Sequence, residues 1–173
     1  MLEPSKGGEM LVRTGIAALI AGAALGAHAQ QAVFETKSLT PEAALTAARA
    51  ALESCRKAGY QVSVAVVDRS GLPQVLLRDR YATAHTVDIA LDKAWTAASF
   101  KIPTAALAAE TQSGRPMSGL RSHARVMAAG GGQVIEAAGS VLGAIAVSGA
   151  AGGDADDACS RAGIKAIADG LEF

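Results

Sequence analysis

The sequence predicts an α+β domain: an antiparallel sheet of two hairpins packed with helices. Three observations carry this. Apolar residues recur at helical spacing after a capped start near residue 40, β-rich runs come in two pairs each split by a short turn, and the order reads helix, hairpin, helix, helix, hairpin, helix. Hairpin connections make neighbouring strands antiparallel, which argues for layered α+β architecture and against a doubly wound sheet.

The first helix opens on Thr40-Pro41-Glu42, an N-cap, a first-turn proline and an acid at the positive end of the helix dipole. Leu45, Ala48, Leu52 and Cys55 follow on one face, and Gly59 closes the helix. Residues 62–67 and 74–77 are strands around the turn Asp68-Arg69-Ser70-Gly71. A second helix is expected over 86–100, and a short third one opens at Pro103 and ends near Glu110. Residues 111–122 (TQSGRPMSGLRS) read as a loop from their Ser, Gly and Pro content. The glycine-rich stretch GGGQVIEAAGSVLGAIAVSG contains the second hairpin, strands 133–137 and 141–147 around Ala138-Gly139-Ser140. Gly143, inside a strand, marks a bulge or a close backbone approach. The last helix starts at Asp154 and is expected to run to about Asp169.

A chain of 173 residues suffices for one domain with a real core. Half of it is hydrophobic but only 3 % aromatic, so alanine, valine, leucine and glycine must build the interior. A formal net charge of zero offers no electrostatic footprint for nucleic acid or an anionic membrane. Residues 1–29 read as a secretory signal peptide: a basic start around Arg13, an apolar run over 15–25 too short to span a bilayer, and the cleavage pattern Ala27-His28-Ala29. The domain would then be 30–173, periplasmic or secreted, with no membrane contact after cleavage. In an oxidising compartment Cys55 and Cys159 can pair, yet each lies on an apolar helix face where a free cysteine is a small buried hydrophobe; both alternatives stand.

The motifs exclude more than they select. No phosphate-binding G-x-x-x-x-G-K-[ST], no G-x-G-x-x-G between strand and helix, no C-x-x-C, no H-E-x-x-H and no G-x-S-x-G occurs. Backbone amides around Gly131 and Gly132 could hold an anion, but the aspartates at the last helix start argue against one there.

Five segments, in this order, resemble the GlcG/HbpS-like proteins, a family related to the C-terminal domain of PduO-type proteins. They are AVVDRSGLPQVLLRD, DIALDKAWTAASF, GGGQVI, GSVLGAIAVSGA and DADDACSRAGIKAI. Two departures stand beside them. Val134 replaces the proline of the usual G-G-x-P-[IV], and the chain reads Ala146-Val147-Ser148-Gly149-Ala150 where the family reads G-V-S-G-G. The resemblance implies a profilin-like α/β sandwich, a closed homo-oligomer and a small-molecule ligand, with haem as cofactor in some members. The alanine-rich helix faces point to the same assembly.

On that resemblance the candidate haem ligands are His123 and His85, the two histidines beyond the leader. His123 follows a glycine-containing loop and is favoured; His85 sits at a helix start, where a neutral ligand imidazole is possible. Arg115 and Arg121, with Arg125, bracket the loop and could receive a propionate or another carboxylate. Gly131 and Gly132 would line the pocket. Met117, Met127 and Tyr81 are further donors, although methionine here more often fills gaps. Lys93, among apolar residues, reads as a snorkelling or carbonyl-bonding lysine before a catalytic amine. Asp88 and Asp92 share a helix face, which is more often solvated than metal-binding. Two readings follow: a haem or tetrapyrrole binder, or an enzyme on a small organic acid with a histidine or lysine base and an arginine clamp.

Overall fold

Thr40 caps the first helix as expected, its side chain accepting from the amide of Ala43, and α1 (Pro41–Lys57) follows. The computed structural model describes residues 32–172, and the domain below begins at Glu35. The leader expected over 1–29 lies outside the described residues. After α1 come β1 (Ser63–Asp68), β2 (Pro73–Arg78), α2 (His85–Phe100) and α3 (Thr104–Glu110). A 3-10 turn (Ser118–Ser122) within the polar loop leads to β3 (Gly132–Ala137), β4 (Ser140–Ser148) and α4 (Gly153–Lys165). The last helix is shorter than the expected end at Asp169. After Lys165 the chain tightens, with the amide of Ile167 bonding the carbonyl of Ile164, and continues as a 3-10 turn, Ala168–Leu171.

Both hairpins form, and β1 pairs with β4 to join them into one antiparallel sheet of order β2-β1-β4-β3. The central strands are covered on both faces, so their side chains divide by alternation. Val64, Val66, Ile145 and Val147 pack with α1 and α4 on one face. Ala65, Val67, Ala144 and Ala146 meet Ala90, Ala94, Ala97 and Ala98 of α2 on the other. Gly143 fulfils the expectation of a close approach: a Cβ there would run into the carbonyl oxygen of Val67. The alanine faces of α1 and α2 are spent inside the chain, against the sheet and α4, and are therefore not surfaces for a second copy.

Of the two alternatives for the cysteines, the pair forms. Cys55 of α1 and Cys159 of α4 make a disulfide with Cα atoms 5.6 Å apart, buried in the core between those helices.

Candidate functional site

Gly130 of the glycine stretch borders a surface cleft, but Gly131 and Gly132, expected to line the pocket, close over a buried polar cluster instead. Lys93 on α2 reaches through the layer, and its Nζ donates to Asp156 Oδ2 at 2.8 Å and to the carbonyl of Val147 at 3.1 Å. Asp156 Oδ1 accepts from the amide of Ala150 at 3.0 Å. Asp157 Oδ1 accepts from the amide of Gly131 and from Gln133 Nε2, each at 2.7 Å. The Gly132 amide donates to Thr104 Oγ1 at 2.8 Å, and Ser160 Oγ donates to the Gly131 carbonyl at 2.7 Å. Both glycine amides are thus satisfied internally, which removes the anion cradle considered for them. Lys93 bonds a carbonyl, as one of its two expected readings has it, but it does not snorkel to solvent. Its side chain and that of Asp156 are only 5 % and 6 % exposed, so the pair is a buried ion pair fixed by hydrogen bonds.

The two histidines lie on the surface at different places. His123 stacks on Trp95, ring centroids 5.6 Å apart and planes within 7°. Its Nδ1 accepts from the backbone amide of Arg125, whose guanidinium lies 4.7 Å from the Trp95 ring centroid and pairs with Asp92 at 3.2 Å. Thr96 completes this clasp: its hydroxyl donates to the Arg125 carbonyl and accepts from the Met127 amide. His85 opens α2, with Nδ1 3.2 Å from Thr83 Oγ1. Ten residues of helix, about 15 Å along the axis, separate His85 from the Trp95 that carries His123.

The expected arginine clamp is dispersed. Arg121 donates to the carbonyls of Thr111 and Ala108, tying off the end of α3. Arg115 makes a long, half-exposed pair with Glu110, 3.7 Å. Asp92 is committed to Arg125 and Asp88 is exposed; among the described residues no group of three potential ligands could hold a metal ion. Three clefts of about 350, 400 and 510 Å³ open elsewhere, none lined by either histidine.

A third buried carboxylate, Asp79, holds the approach to His85. Asp79 accepts from Arg56 Nε and Nη2, both at 2.8 Å, and from the amide of Arg80. The Arg56 hydrogen bonds hold its carboxyl below the ordinary 3.8 despite its burial, with the Arg80 amide adding to them. A depressed folded value means that the stabilisation is complete above pH 3.8 and is lost as pH falls through the folded value. Asp79→Asn is therefore expected to lower the urea midpoint at pH 7 and to flatten its fall between pH 5 and 2. Parallel acid limbs in variant and wild type would refute this.

Sequence reasoning missed Asp156, Asp157, Thr104 and Ser160 as partners of Lys93 and the glycines. One signal for them existed: a lysine amid apolar residues needs a counter-charge, and the first turn of the last helix holds aspartates. Trp95 as the platform for His123 had no such signal.

A family model described as haem degrading protein HbpS-like matches residues 39–165, which take in all four helices and both hairpins. The chain belongs to the HbpS-like family. Among solved HbpS-like folds, a double mutant of Streptomyces reticuli HbpS is 38 % identical with a TM-score of 0.75, covering 80 % of this chain and 92 % of the other. Klebsiella pneumoniae ORFY is 27 % identical with a TM-score of 0.77, over 80 % and 97 %. A complex of PduOC with haem is 30 % identical with a TM-score of 0.72, over 75 % and 95 %. The corrinoid adenosyltransferase PduO of Salmonella typhimurium is 34 % identical over 103 residues, 58 % of this chain but 31 % of PduO. The HbpS-like chain thus spans about a third of the length of that relative.

Proposed function

We propose that this chain binds haem and serves in haem handling. The observation that carries the reading is its likeness to the PduOC–haem complex, which extends over 95 % of that domain. The residues present fit the group: His85 offers an exposed imidazole, and a neutral imidazole is the common protein ligand for haem iron. Adenosyl transfer is no part of the proposal, because the match to PduO covers only 31 % of that protein. The small-acid enzyme is disfavoured by the geometry: Lys93 is bonded to Asp156 and buried, and the arginines do not converge.

Haemin titrated into the purified protein is expected to give a saturable Soret shift at one equivalent per chain, with a Kd of about 1 μM or tighter. A spectrum that stays the sum of free haemin and protein would refute the proposal.

A further inference from the structure

Resting on that haem-binding reading, we infer that His85, held by Thr83, is the iron ligand, and that His123 is not. The argument is which ring nitrogen each histidine has free. An imidazole that binds iron through Nε2 must offer a lone pair there, so in the neutral ring the proton sits on Nδ1 and needs an acceptor. At His123 the opposite holds. Its Nδ1 accepts the Arg125 amide proton, so Nδ1 carries the lone pair and Nε2 carries the hydrogen. Ligation through Nε2 would place two hydrogens against each other at Nδ1. Ligation through Nδ1 would take the lone pair from an amide that the Arg125–Asp92 and Thr96 contacts hold in place. His123 is a strut of the clasp on α2.

At His85 the partner of Nδ1 is a hydroxyl, which accepts as readily as it donates. Thr83 Oγ1 can therefore take the Nδ1 proton and fix the ring, while no protein group among the described residues bonds Nε2. A turn closed by the Ala82 amide on the Asp79 carbonyl carries Arg80 and Tyr81 at its tip, and Tyr81 is 76 % exposed. The Asp79 carboxylate anchors this turn to Arg56 of α1, so the segment leading to His85 is fixed before any ligand arrives.

Two measurements test the assignment. In the haem-free protein, long-range ¹H–¹⁵N correlation of the imidazoles is expected to show the Nδ1–H tautomer at His85 and the Nε2–H tautomer at His123; the reverse pattern would overturn the inference. In haemin titrations, His85→Ala is expected to weaken binding about 100-fold and to regain its wild-type Soret and Q bands with added imidazole. Thr83→Val should weaken binding about tenfold through the lost orienting bond, and His123→Ala should stay within about twofold. Loss of the Soret shift in His123→Ala with retention in His85→Ala would overturn the inference while leaving haem binding intact. No shift in the wild type would overturn haem binding itself and, with it, the inference.

Discussion

Gly131→Ala is expected to be among the most damaging single substitutions in the chain, costing about 4 kcal/mol or more of a total stability of roughly 5–15 kcal/mol. Two effects add. The backbone at Gly131 has φ +121°, a region that side-chain-bearing residues occupy only under strain. A Cβ there would also stand 2.5 Å from the Val147 carbonyl oxygen, 2.7 Å from Lys93 Nζ and 2.9 Å from Asp156 Cβ. It would drive apart a buried ion pair whose separation costs about 3–5 kcal/mol, because each charge is then left without its partner. Gly59→Ala is the control, with φ +85° but nothing within 4 Å of its Cβ, so it carries only the backbone cost of about 1–2 kcal/mol. Urea unfolding of the two variants separates the terms. A Gly131→Ala midpoint no lower than that of Gly59→Ala would show that the polar cluster yields without cost.

Removing both cysteines, as Cys55→Ala with Cys159→Ala, is expected to lower stability by about 2–5 kcal/mol. The bond spans a sequence separation of 104 residues, and constraining a loop of that size in the unfolded chain amounts to about 4.7 kcal/mol in the entropic account. Alanine keeps most of the packing at two sites that are 0 % and 3 % exposed, so the change reports chiefly on the cross-link. Denaturant curves of the variant and of wild type unfolded with dithiothreitol should coincide in midpoint. A variant as stable as the oxidised wild type would show that α1 and α4 are held by packing alone.

The fold was legible wherever its cause was local. The Thr40 cap, the Asp68–Gly71 turn and the glycine turn at Ala138–Ser140 each follow from the conformational chemistry of a few adjacent residues, and all form within one or two positions of expectation. Helix ends governed by tertiary contact were less so, as the early end of α4 shows. The candidate site was legible in residue type but not in arrangement. Lys93 and Asp156 are 63 positions apart, and Gly131 and Asp157 are 26 apart, distances at which periodicity carries no information. The preference for His123 rested on a flexible loop with free arginines. The structure instead holds the segment just after that loop, residues 123–127, to α2 through Trp95, Thr96 and Asp92, and Arg121 is turned onto carbonyls.

The layer between α2 and the sheet, built almost wholly of methyl groups, makes the protein asymmetric under mutation. An alanine scan would pass over Ala65, Ala90, Ala94, Ala97, Ala144 and Ala146 without altering them, and would report the α2 face as inert. Growth is what that face resists. With every one of those positions 0 % exposed, each extra methylene must displace backbone, at about 1–3 kcal/mol for an overpacked site. Damaging variants of this layer are therefore gains of volume, such as Ala94→Val, and a survey by truncation alone would miss the region that sets how closely helix and sheet approach.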